Sequence, residues 1–308
     1  MTREQKLAWL AWATICIVWG TTYLAIRVAL ETVPVFLVAG LRWIAAGLVL
    51  SLVALAMGRA LPPPRTWGSL ALLGFLMNVV GNGFVVWAEQ HVASGLTAVV
   101  IASVPFWSVG IEALLPGGER LRWATLAGLA VGFSGIVVLV FPEILAGGSE
   151  GRAVFWGVMA LQVACLGWAI GTSYTRRHSA VGDALTASAV QMLFSGLMLL
   201  GLATAAGEWS ALHFSPRSLA AMVYLALAGS TLAYTAYVYA IAHLPISTVS
   251  LYAYVNPLIA VVLGSLLLGE AFSIRIAVAA VLVLAGIAVV RGVQSMSASS
   301  APTRRTHT

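Results

Sequence analysis

Apolar positions in this chain come in long unbroken blocks rather than in alternation. Ten runs of about 20 residues lie near residues 7–28, 34–57, 67–88, 92–114, 121–141, 154–175, 184–206, 217–240, 246–268 and 273–291. A run of about 20 residues, rising about 1.5 Å per residue as a helix, crosses a hydrocarbon core of about 30 Å. Barrel strands would instead alternate polar and apolar at every second position. The pattern predicts an all-α integral membrane protein of ten transmembrane helices. Arg3 and Lys6 precede the first run as in a signal peptide, but the run exceeds the usual apolar region of about 7–15 residues, so it is read as a retained first helix.

The pattern also occurs twice. "VPFWSVGIEALLPGGE", 104–119, matches "NPLIAVVLGSLLLGE", 256–270, with one extra residue in the first copy. Pro105 corresponds to Pro257, and Gly118-Glu119 to Gly269-Glu270. His91 and His243 each precede the proline by 14 residues, and Gly135 and Gly286 each follow the glutamate by 16. "GTTY" at 20–23 and "GTSY" at 171–174 match near the start of each half. The expected organisation is therefore a first repeat over 1–145, a second over 146–291 and a disordered tail over 292–308. Five helices per half is an odd number, so the two halves are expected to be inverted, as in secondary transporters. A proline within a helix removes one backbone hydrogen bond and kinks it, and two matching kinks at Pro105 and Pro257 read as a pair of hinges.

Composition agrees with the bilayer assignment, since 61% of the 308 residues are hydrophobic and 8% are charged. The net charge of +6 is explained by orientation. Arg3, Lys6, Arg59, Arg65, Arg120, Arg122, Arg176, Arg177, Arg291, Arg304 and Arg305 fall on the side of the termini, against Arg27, Arg152, Arg217 and Arg275 opposite. The positive-inside rule then makes both termini cytoplasmic, and no nucleic-acid partner is implied. Cys16 and Cys165 sit inside apolar runs without disulfide or metal spacing. No phosphate-binding loop, zinc-protease or Ser/His/Asp pattern is present, so secondary transport is favoured over an enzyme, and no cofactor, metal or catalytic residue is expected.

Charged and polar residues at membrane depth are costly and therefore informative. Arg42 lies two turns into the second run, about 12 Å from its outer end. It reads as an anchor for a substrate carboxylate, or as half of a buried pair with Glu89 or Glu31. Pairing weighs more, because an arginine without a constant counter-ion is costly when substrate is absent; both hold if substrate competes for the guanidinium. Asn78, Asn82 and Glu89 follow one another by four and seven residues, which predicts a shared helical face. Glu89 reads either as a wetted end residue or as a proton carrier. Glu112 is expected to pair with Arg120 or Arg122. Tyr234 and Tyr237 in the eighth run, with Tyr252 and Asn256 beside Pro257, suit a small zwitterion or amphipathic compound. Trp19 and Trp168 read as packing or lining. The candidate set is thus Arg42, Asn78, Asn82, Trp19, Trp168, Tyr234, Tyr252 and Asn256 for substrate, Pro105 and Pro257 as hinges, and Glu89 for proton coupling. Gly128, Gly132 and Gly135 predict close helix packing within the chain, and a monomer or weak homodimer is expected.

The ordered set of "WGTTY", "GLRW" around Arg42, two spans ending in Gly-Glu and "AYVNPLIAVVLGSLLLGE" resembles the EamA-type members of the drug/metabolite transporter superfamily over residues 7–291. The resemblance implies proton-linked or facilitative export of small metabolites, often amino acids or related compounds, from the bacterial cytoplasm through the inner membrane. "PGGE" in the first repeat departs from the family's usual apolar run. Multidrug or cation efflux is the alternative transport reading, opposed by Arg42; a membrane-embedded structural or receptor protein is the alternative of another class.

Overall fold

Thr2 opens helix α1 (Arg3–Ala29) with a reciprocal cap in which its hydroxyl accepts from Gln5 N and the Gln5 side chain accepts from Thr2 N. Pro34 ends the next turn and leads into α2 (Val35–Ala56). The proline-rich turn 61–65 feeds α3 (Pro64–Ala88), whose middle, Gly74–Gly83, widens into a π-helix. There follow α4 (Ser94–Leu114), α5 (Trp123–Ala146), α6 (Gly148–Arg177) and α7 (Ala184–Ala205). Helix α8 (216–243) has a second π segment at Leu225–Leu232. Helix α9 (Tyr252–Leu268) ends at Gly269, in the left-handed region at φ 64°, and α10 (Ile274–Ser299) closes the chain. The structure, a computed structural model, describes residues 2–116, 123–146, 148–177, 183–244, 249, 251–271 and 273–299.

Among the described residues no strand occurs. Seven helices are long and apolar enough to cross a membrane: α1 to α4, α6, α7 and the Pro216–Tyr237 part of α8. Shorter apolar stretches lie at Trp123–Val138, Val255–Leu268 and Ile274–Val290, within α5, α9 and α10.

Packing follows the small residues. Helices α5 and α10 pair closely, as do α2 and α7, while α1 packs on α8 and α9, and α6 on α3 and α4. Gly128 and Gly286 let α5 and α10 touch backbone to backbone: a Cβ at Gly286 would stand 2.5 Å from Gly128 O and 2.6 Å from Gly132 N. Gly135 likewise faces Ala279 O, and Gly132 receives the ring of Phe106. The glycine spacing in α5 thus serves contact with another helix of the same chain.

Two expectations change. Pro105 does not kink a continuous helix; α4 breaks at Ala102–Ser103 and restarts at Val104, with Pro105 in the first turn, where its missing N–H costs nothing. The break is satisfied locally, because Ser103 N and Ser103 Oγ both donate to Val100 O, at 3.0 and 2.7 Å. Pro257 lies inside α9, so the two prolines act differently. Residues 292–299 of the expected disordered tail continue helix α10, and 300–308 lie outside the described residues. Gly118, Glu119, Arg120 and Arg122, and with them most of "PGGE", lie outside the described residues.

Replacing Gly286 with Leu is expected to lower the midpoint of thermal unfolding in detergent, with a cost above the usual overpacking range of about 1–3 kcal/mol because backbone blocks relief. Gly201→Ala, where a Cβ meets nothing within 4 Å, should be neutral or stabilising by up to about 1 kcal/mol.

Candidate functional site

Arg42 of α2 is 4% exposed, and its Nε donates to Ser230 Oγ at 2.8 Å. Its guanidinium carbon stands 4.8 Å from the ring centre of Trp43. Ser230 belongs to the π segment of α8. Its neighbour Gly229 accepts from Trp19 Nε1 of α1 at 3.2 Å. Trp19 in turn packs on Tyr252 of α9 at 4.9 Å, edge to face, and on Tyr237 at 5.4 Å. Tyr237 adjoins Tyr234 at 6.2 Å. With its amide nitrogen turned toward them, Asn256 donates to Cys16 O at 3.0 Å and Tyr252 O at 3.1 Å. Arg42, Trp19, Tyr234, Tyr252 and Asn256 therefore form one connected polar and aromatic network where α1, α2, α8 and α9 meet.

Glu89 sits at the C-terminal end of α3, 0% exposed, and neither carboxylate oxygen has a hydrogen-bond partner in the chain. Arg27 of α1 donates to the Glu89 backbone carbonyl. The charges of Arg27, Arg42 and Glu270 all reach Glu89, and Tyr23 of α1 feels both Glu89 and Arg42. The expectation that Glu89 is a wetted end residue is thereby corrected: α3 buries it against α1. The expected ion pair of Arg42 with Glu89 or Glu31 is not formed either. Arg42 bonds Ser230 instead, and Glu31 pairs with Arg217 at 3.4 Å.

The remaining candidates are dispersed. Asn78 and Asn82 both lie in the π segment of α3, ahead of Glu89 at the helix end. Asn78 is 4% exposed and donates to Ser195 Oγ of α7 at 3.0 Å, while Asn82 is half-buried. Trp168 of α6 is half-buried beside Gly81. Glu112 pairs with Arg177 at 3.1 Å and accepts from Ser173 Oγ at 2.7 Å; the expected partners Arg120 and Arg122 lie outside the described residues. Glu270, just past the end of α9, reaches across to α4 and accepts from Ser94 N at 2.8 Å and Gly95 N at 3.2 Å.

Sequence reasoning missed Tyr23, Arg27 and Ser230. A signal existed for Ser230, which lies 152 residues after Asn78, the offset that relates His91 to His243. Each of these two residues sits in a π segment and bonds another helix, Asn78 to α7 and Ser230 to α2.

The EamA-like transporter family model matches twice, over residues 7–141 and 155–292. The chain belongs to the EamA-like transporter family. It is 38% identical over 258 residues to the inner membrane transporter YedA of Escherichia coli (strain K12), covering 83% of this chain and 81% of that protein. It is 28% identical over 273 residues to a probable terminal-alkyne amino-acid exporter of Streptantibioticus cattleyicolor, covering 86% and 88%. A solved crystal structure shares the fold with a TM-score of 0.64 at 22% identity, over 95% of this chain and 99% of that one. EamA membership makes this a membrane transporter family chain with apolar spanning helices.

Trp19→Phe keeps the ring packing and deletes the bond to Gly229 O. It should cost roughly 1 kcal/mol of stability, read as a lower unfolding midpoint in detergent than for Trp9→Phe, a residue that is 43% exposed.

Proposed function

We propose that this EamA protein is a secondary transporter that exports small metabolites, amino acids or related compounds, across the bacterial inner membrane by alternating access. The observation that carries the reading is the buried, charged and aromatic network around Arg42 in a chain that is 61% hydrophobic. Buried charge in a bundle is costly, and its usual return is a substrate or ion path. The amino-acid exporter among the relatives supports the substrate class, and YedA supports the location.

The organisation proposed is ten spans in two inverted repeats, 1–145 and 146–291, with both termini cytoplasmic. The double family match supports it. So does the count of seven long and three shorter apolar helices, and so do the π segments at matching places in α3 and α8. The bonds Asn78 to Ser195 and Ser230 to Arg42 tie α3 to α7 and α8 to α2, which is the exchange that inversion requires. Single-turn π bulges are frequent at functional sites because one backbone bond per turn is out of step with its neighbours. Longer π segments here, with Pro105 and Pro257, offer the flexible points about which two halves can rock.

Arg42 is proposed to hold the substrate carboxylate and Glu89 to carry the coupling proton, with Asn82, Trp168, Tyr234, Tyr252 and Asn256 lining the path. Arg42→Gln should reduce release of preloaded amino acids from proteoliposomes to the level of empty vesicles while leaving gel-filtration behaviour unchanged. Transport at the wild-type rate would reject the role. Glu89→Gln should leave substrate exchange measurable but remove its dependence on an imposed pH gradient, and unchanged dependence would reject proton coupling there.

A further inference from the structure

Arg42 and Glu89 are the only fully buried charged side chains among the described residues. They come from α2 and from the end of α3, two segments that pack on one another, and each feels the other's charge. Yet no N···O distance of 4.0 Å or less joins them. Both are incompletely satisfied. Arg42 commits Nε to Ser230, and among the described residues no acceptor bonds its two Nη groups. Glu89 has no partner for either oxygen. Opposite charges held near but apart, each with free bonding capacity, fit a ligand that carries both complementary charges a short distance from one another.

We propose that Arg42 and Glu89 are the two poles of a receptor for the α-amino-acid head group, Arg42 taking the carboxylate through its Nη fork and Glu89 taking the ammonium. This rests on the transporter reading above and narrows its substrate class to zwitterions. Tyr23 of α1, within range of both poles, flanks the head group. The chain of contacts from Arg42 through Ser230 and Gly229 to Trp19, Tyr237 and Tyr252 places the substrate's side chain against rings, favouring apolar amino acids. A zwitterion satisfies both poles and adds no net charge to a low-dielectric site. A carboxylic acid without the amine leaves Glu89 unpaired, and an amine without the carboxylate leaves Arg42 unpaired. The groups that face Glu89 are Arg27 and Tyr23 from α1, Arg42 from α2 and Glu270 beyond α9. Arg27 stays on the backbone carbonyl and leaves the carboxylate for the ligand.

The same contact gives the coupling its chemistry. A neutral carboxyl cannot form an ion pair with an ammonium, so a Glu89 that holds a proton while the site is empty gives up one proton as the substrate binds and regains one as it departs. Proton and substrate ammonium exchange at one carboxylate, and the count is one for one.

The test uses the full chain in proteoliposomes. Counterflow exchange is first measured with the twenty common L-amino acids in the lumen, and the best-exchanged one is taken as the probe. It is then competed with its own deaminated acid and its own decarboxylated amine. The expectation is that both analogues compete about 100-fold more weakly than the parent, the loss typical when one partner of a desolvated charge contact is missing. In Glu89→Gln the deaminated acid should compete about as well as the parent, and Glu89→Asp should restore the preference for the parent, showing that the site and not the fold was altered. Equal competition by the deaminated acid in the native protein, or an unchanged preference in Glu89→Gln, would overturn the inference while leaving export intact. Absence of exchange for all twenty, with other metabolites released, would instead refute the amino-acid part of the transporter reading, and this inference with it.

Discussion

Hydrocarbon offers no hydrogen bonds, so every polar group the bundle buries must find its partner within the chain or in a ligand. That constraint explains the details of this structure better than hydrophobic attraction does, since lipid tails are as apolar as the helices they surround. Where α4 breaks before Pro105, Ser103 turns back to bond Val100 O. The indole N–H groups of Trp12 and Trp19 reach carbonyls elsewhere in the chain, at Val249 and Gly229. Among the described residues Trp43 Nε1 and three hydroxyls are also left without a partner, but Glu89 is the carboxylate in that position.

The same constraint shapes the helix ends. The first N–H groups of a helix have no partner within it and carry partial positive charge. Three carboxylates meet that need: Asp183 caps its own helix α7 at Thr186 N, Glu208 bonds Phe36 N and Leu37 N of α2, and Glu270 bonds Ser94 N and Gly95 N of α4. The last two couple a helix end in the first half of the chain to a loop in the second. The loop after α2 answers with Arg59 on Asp183. Residues that close one helix thereby fix the position of another.

The π segments connect this framework to the candidate site. Widening the helix shifts each following side chain around the axis, so a residue that regular spacing would send elsewhere is turned inward. Ser230 lies on such a segment and holds Arg42; Asn78 lies on the other and holds Ser195. Thr231 Oγ1 reaching Ala226 O, five residues back, shows how the side chains of the segment complete its looser bonding.

Much of this was legible in the sequence. Apolar run length depends only on bilayer thickness, so the helices appear in the residues themselves, and a duplication is visible without coordinates. Gly269 was readable as a helix end because a left-handed residue there favours glycine. The family, too, follows from the order of short motifs. Arg42, Trp19, Tyr252 and Asn256 were candidates because buried polarity in an apolar run is conspicuous by itself. What the residues alone could not decide was pairing. Arg42 found Ser230 in place of Glu89, Glu112 found Arg177, and Glu270 left its own helix to cap α4. Each partner lies on another helix, and the choice among several turns on register and rotation, which the π segments alter by amounts that no periodicity records. The sequence determined which groups needed partners; only the packed bundle determined which partners they received, because in a solvent without hydrogen bonds that choice is made by distance alone.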